Sequence, residues 1–166
     1  MRRRCGGAAS IAALAATLAC PYGFAGGGLP PHVRTVAILP FDNLTPEPAL
    51  TQEVSVAVRT ALEDRLGLRV AGEATADAVV RGRIVRYEPA VPVAFRPGEG
   101  DVEVTQRQVE IAVDVEIVDQ QEGKTLWSRR GLVAQGEYAP PAELNGRRLA
   151  LEKLVNAIVE GAQSQW

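Results

Sequence analysis

The sequence predicts a two-layer α+β sandwich of order β-α-β-β-β-α, with two helices packed on one mostly antiparallel four-stranded sheet. Three observations predict it. In Val109-Glu-Ile-Ala-Val-Asp-Val-Glu-Ile-Val118, the residues Val109, Ile111, Val113, Val115 and Ile117 fall at every second position, with Glu110, Asp114 and Glu116 between them. Branched apolar groups on one side and carboxylates on the other make a strand with one buried and one wet face. As a helix, the same residues would be scattered around the whole circumference. Two other stretches, residues 50–66 and 144–162, instead repeat their apolar residues at three and four, the period of a helix with one core-facing stripe. Finally, Asp119-Gln-Gln-Glu-Gly-Lys124 places a glycine-tipped turn after the alternating strand, which returns the chain as an antiparallel neighbour.

Residues 1–19 read as a signal peptide. Arg2, Arg3 and Arg4 precede a run of small apolar residues from 8 to 19, which is too short to span a bilayer and suited to a secretory segment. A retained membrane anchor is the alternative. Cys20 follows in Thr17-Leu-Ala-Cys20, which resembles a bacterial lipobox, although Thr17 and Leu18 depart from its usual residues. Ordinary cleavage to a soluble periplasmic protein is the other outcome. Cys5 leaves with the signal peptide, so Cys20 has no disulfide partner, and lipidation is its simplest use. A diacylglycerol thioether with a further N-acyl chain, such as palmitate, would anchor the chain stably where a single chain would not. Residues 20–32 then form a lipidated N-terminus and a glycine-rich tether, and residues 33–166 form one domain.

Removing Arg2, Arg3 and Arg4 from 18 cationic residues leaves 15 against 20 carboxylates, a formal charge near −5. That balance argues against nucleic acid as a partner. His32 is the only histidine, so it lacks histidine or cysteine partners for a metal and reads as a surface residue.

The first strand, residues 34–41, carries Val36, Ala37, Ile38 and Leu39 in succession, so it should be covered on both faces until Pro40 ends it. Asp42 and Asn43, with Thr45, Pro46 and Pro48, read as a polar turn into the first helix, which Gly67 stops. The strand at residues 78–87 interleaves Val80 and Ile84 with Arg81, Arg83 and Arg86. These arginines should pair across to Glu110, Asp114 and Glu116. Residues 88–106 read as a long loop, because Pro89, Pro92, Pro97, Gly98 and Gly100 interrupt it. Val91, Val93 and Phe95 make that loop a contact surface rather than a disordered one. Residues 125–135 return as a strand with Trp127 in or over the core, and Pro140-Pro141 opens the last helix.

Catalysis finds no support. Ser55 lies in a helix and Ser128 in a strand without a glycine-flanked elbow, and no glycine-rich phosphate loop links a strand to a helix. Asp114 and Glu116 are better explained as partners of nearby arginines than as an acid/base pair. No cofactor is implied.

Four segments carry a resemblance. They are Pro31-His-Val-Arg-Thr-Val-Ala-Ile-Leu-Pro-Phe-Asp-Asn43, Ala76-Asp-Ala-Val-Val-Arg-Gly-Arg-Ile-Val-Arg-Tyr87, the alternating strand at 109–118, and Gly123-Lys-Thr-Leu-Trp-Ser128. In this order behind a junctional cysteine, they resemble the LptE family of lipopolysaccharide-assembly lipoproteins. The resemblance implies two helices on a four-stranded sheet, and an outer-membrane lipoprotein that plugs the large LptD β-barrel while lipopolysaccharide is placed in the outer leaflet. Pro21 stands after the cysteine instead of the aspartate that retains some lipoproteins at the inner membrane, so outer-membrane sorting is expected. Such a plug needs cations toward anionic phosphates, which arginine forks suit. Arg96, Arg107 and Lys124 are the candidates, beside Phe95 for apolar contact. A periplasmic adaptor lipoprotein docking to another envelope or secretion complex is the alternative.

Overall fold

The computed structural model describes residues 28–97 and 102–164. The elements are β1 (Thr35–Ile38), β2 (Asp42–Asn43), α1 (Ala49–Leu66), β3 (Arg69–Val70), β4 (Ala78–Pro97), β5 (Val102–Asp119), β6 (Thr125–Tyr138) and α2 (Glu143–Ser164). The sheet runs β3-β1-β4-β5-β6, with β2 also beside β4. Pairings among β1 to β4 are parallel, and β4-β5-β6 are antiparallel.

The two-layer α+β arrangement follows the expected pattern. Val109, Ile111, Val113, Val115 and Ile117 of β5 are all buried. So are Leu50, Val54, Val58 and Leu62 of α1 and Ala150, Leu154 and Ile158 of α2, which join them in one core. β1 is covered on both sides: Ala37 packs with Ala76 and Val79 in a second, small cluster apart from the main core. Trp127 is buried in the main core, and its ring occupies the space that a Cβ on Gly161 would need. Among the described residues, no helix is long and apolar enough to cross a membrane.

The sheet has six strands rather than four. Asp42 and Asn43, expected as a turn, pair in parallel with Arg83 and Ile84 as β2, and Arg69–Val70 forms β3 beside β1. Both additions are two residues long, below the length at which alternation can be read.

The larger correction concerns residues 88–106. Instead of a loop, β4 continues to Pro97 and β5 begins at Val102, so the two strands extend together as a hairpin arm. Gly98 and Gly100, between the two strands in sequence, lie outside the described residues. The prolines are tolerated because of where they fall. Past Tyr87, β4 pairs only with β5, so one of its edges is open. Pro92 stands opposite Arg107 and Pro97 opposite Val102. Neither proline can donate to its partner, so the ladder bonds fall on the neighbouring pairs, and the missing N–H groups belong to positions directed outward. Register shifts flank Ala94 and separate Glu88 from Val91, and these bulges absorb the remaining irregularity.

Candidate functional site

The structure distributes the predicted contact residues along the sheet instead of gathering them. Phe95 lies on the arm and is 61% exposed. Directly paired residues share a face, so Phe95 stands with Val104, and Pro97 with Val102, on one apolar side of the hairpin. Arg96 is on the other side, paired with Glu103 at 2.5 Å, both side chains well exposed. Arg107 lies further down β5, opposite Tyr138 and Pro92, with its Nε enclosed and without a hydrogen-bond partner. Lys124 is in the β5–β6 turn at the other end, where its carbonyl accepts from Asp119 N–H at 2.8 Å. Asp119 and Arg107 stand twelve positions apart on β5, roughly 40 Å at about 3.3 Å per residue. Cys20, the proposed lipidation site, lies outside the described residues.

The end that carries Lys124 is also where the domain begins. His32, read from sequence as a surface residue, is tied there: its Nε2 lies 2.5 Å from Asp119 Oδ2, and Asp119 is fully buried. Burial pushes the Asp119 carboxyl up. The backbone N–H of Glu122, His32 and the N–H of Gln121 outweigh it and leave the pKa below the usual value. His32, Asp119 and Glu122 bring potential ligand atoms within 4.8 Å of one another. However, hydrogen bonds to His32, Gln121 and Glu122 already engage both Asp119 oxygens, so the cluster is accounted for as a latch. Asp77 works beside it, accepting from Thr35 Oγ1 at 2.7 Å and from the N–H groups of Arg34 and Thr35. These bonds hold its carboxyl at about 2, the Thr35 hydroxyl contributing most. The last residues before β1 are therefore fastened to the sheet at the end opposite the arm.

Between the two ends lies a surface that cross-strand pairing of its arginines does not reveal. A depression of about 530 Å³ on the sheet is lined by Asp42, Arg81, Arg83, Asp114, Glu116, Ser128 and Arg130 among others. Arg81 faces Glu116 and Arg83 faces Asp114 in register, as the pairing argument expected. Among the described residues, though, only Arg86 closes a cross-strand ion pair of this set, to Glu110 at 2.5 Å. Asp114 instead accepts from Gly131 N–H, and Glu116 from Thr125. Arg130 reaches the site through the irregularity between Val113 and Val115, beside Gly131 with φ +60°. Alternation alone does not reveal such a bulge.

A family model described as LptE, lipopolysaccharide-assembly, matches residues 33–162. No curated protein matches the chain. Among solved structures, protein XCC0632 from Xanthomonas campestris is similar at 12% identity and a TM-score of 0.59, over 83% of this chain and 91% of that one. PelC from Paraburkholderia phytofirmans, solved as a dodecamer, is similar at 17% identity and a TM-score of 0.53, over 83% of this chain and 95% of that one. At such identities the likeness is one of fold.

Proposed function

The chain belongs to the LptE family, and we propose that it is a lipid-anchored outer-membrane protein that plugs an LptD-type β-barrel during lipopolysaccharide transport. Beyond family membership, the observation that carries this reading is the charged depression on the sheet. Its arginines and carboxylates are of both signs and lie open to an environment that must itself be polar. The lumen of a large outer-membrane barrel is such an environment, whereas its outer wall is apolar. Arg81, Arg83 and Arg130 also offer guanidinium groups to the phosphates of lipopolysaccharide. Lipidation at Cys20 would tether the domain to the membrane through the residues that precede His32. The protein acts by position and contact, without turnover.

The test is mild detergent extraction of the native protein from outer membranes, followed by mass spectrometry. A stoichiometric LptD-type barrel together with an acylated Cys20 peptide is the expected result. Recovery with an unrelated envelope complex would replace this reading with the adaptor one, and an unmodified Cys20 would remove the anchor.

A further inference from the structure

Three depressions line up along the helix layer, and the first lies where the described chain begins. It holds about 260 Å³ at the C-terminal ends of both helices, lined by Gly28, Leu29, Leu66, Leu68 and Gln163 among others. Leu29 already packs there against the main core. Arg65 links it to a second depression of about 480 Å³ in the seam between α1 and α2, lined by Ala57, Ala61, Leu151 and Val155. Ala57, Arg148 and Leu151 carry the seam on into a third, of about 460 Å³, which also reaches Val56 and Leu144. Arg147 on Glu53 at one end and Arg65 on Asn156 at the other hold the helices side by side along it. Val56 is 45% and Leu144 75% exposed. The helices thus leave one apolar groove that starts at Gly28.

The sequence just upstream of Gly28 matches this groove in composition and in reach. Residues 21–27, Pro-Tyr-Gly-Phe-Ala-Gly-Gly, lie outside the described residues. They carry no charge, and Tyr22 and Phe24 are their only large side chains. Alternate residues of an extended segment point to the same side, so these two rings can face one surface with only a glycine between them. At the groove's rim, Glu53, Asp64 and Glu152 balance Arg65, Arg147 and Arg148. Such a rim favours an uncharged occupant over a phosphate-bearing or acidic one. Arg65 and Ala57 stand eight positions apart on α1, about 12 Å at about 1.5 Å per residue. Four extended residues, from Gly28 back to Phe24, cover about 13 Å. A segment joined to the domain by so short a link is present at an effective concentration on the order of millimolar, which a separate apolar partner would have to match.

We propose that Tyr22 and Phe24 dock in the seam between α1 and α2, Phe24 between Ala61 and Leu151 and Tyr22 further along against Val56. The segment read from sequence as a tether is then a strap across the helix layer. This goes beyond the barrel reading and does not depend on it. A lipid anchor at Cys20, two residues before Tyr22, would be held against the helices, on the opposite side of the sheet from the charged depression.

The experiment places a single thiol in the groove. The full chain carries Cys5→Ser and Cys20→Ala, which remove both native cysteines, and Ala57→Cys supplies the only thiol. Its rate of reaction with a maleimide is measured with Tyr22 and Phe24 present and with both replaced by serine. The two aromatic residues precede the described domain, so replacing them leaves its core intact. They should slow the reaction about tenfold or more, as a local contact that must open first. Because the contact is intramolecular, the slowing should persist on about hundredfold dilution. A thiol at Glu63→Cys, exposed on α1 outside the groove, should react alike in both backgrounds. Equal rates at Ala57→Cys with and without the aromatic pair overturn the proposal. So does protection that fades on dilution, which makes the occupant a second copy, or protection that appears only on adding outer-membrane extract, which makes it a partner. None of these outcomes bears on the barrel reading.

Discussion

The guanidinium of Arg147 lies over the ring of Tyr87, 5.1 Å from its centroid. It also reaches Glu53 at 3.3 Å and both Glu47 and Glu143 at 3.5 Å, with only 12% of its side chain exposed. The Tyr87 hydroxyl in turn donates to Glu143 at 3.1 Å. Burial pushes the Tyr87 hydroxyl up to about 12, despite the opposing charge of Arg147, so it remains a donor at physiological pH. One α2 residue thereby joins the approach to α1, α1 itself and β4.

Replacing Arg147 by Met leaves three glutamates facing one another without their cation. The expected loss is about 2–3 kcal/mol, below the usual cost of breaking a buried pair because the glutamates are partly solvated. Arg147→Lys should restore only part of it, since an ammonium cannot span the same fork. Tyr87→Phe keeps the ring and loses one hydrogen bond, about 1 kcal/mol. Urea unfolding of the three variants checks the ranking.

Gly136 and Gly146 mark where α2 meets β6. A Cβ on Gly136 would lie 1.9 Å from the Gly146 carbonyl oxygen, and one on Gly146 would lie 2.6 Å from the Tyr138 ring. The obstruction at Gly136 is backbone, so Gly136→Ala must shift the helix and should cost about 3 kcal/mol or more. Gly123, with φ +64° and open space around it, should lose only about 1 kcal/mol on the same change, for backbone strain alone. Equal losses at the two sites would show that the close approach is absent in solution.

Asp77 predicts an acid response. Its pKa is lowered from 3.8 to about 2, so its contribution is fully present above the higher value and is lost as pH falls through the lower one. Stability measured by urea unfolding should therefore decline as pH falls through this window. Asp77→Asn should flatten that decline without abolishing it, because Asp119 is shifted in the same direction. An unchanged slope would show that the Thr35 bonds do not favour the ionised form.

Phe95→Ser should leave stability within about 1 kcal/mol, as changes at exposed positions do. It should nonetheless weaken association with the barrel in the same extraction assay. A large stability loss would place Phe95 in a core instead.

Cys20→Ala should move the protein from the membrane fraction to the periplasm with its thermal midpoint unchanged. Retention in washed membranes that lack a barrel partner would end the lipoprotein reading.

The helices and the central strand were legible because each displays its burial as a repeating pattern. Leu50, Val54, Val58 and Leu62 of α1, and the odd-numbered positions from Val109 to Ile117 of β5, are buried as their periods require. The arm is not legible in the sequence because proline there reads as a breaker. Whether it breaks a strand depends on which way its backbone nitrogen points, and that direction is set by the partner strand. The tie of His32 is not legible for a related reason: Asp119, its partner, is 87 positions away in sequence.

By itself, then, the sequence determined the α+β class and the helical and strand faces, because these depend on residues close together in the chain. Only the tertiary structure decided the continuation of β4 and β5 into the arm, the latch of His32 on Asp119 and the placement of Arg130 beside Arg81 and Arg83. Each of these arises from register, and register is settled only when distant segments compete to bury apolar surface and satisfy their backbone hydrogen bonds.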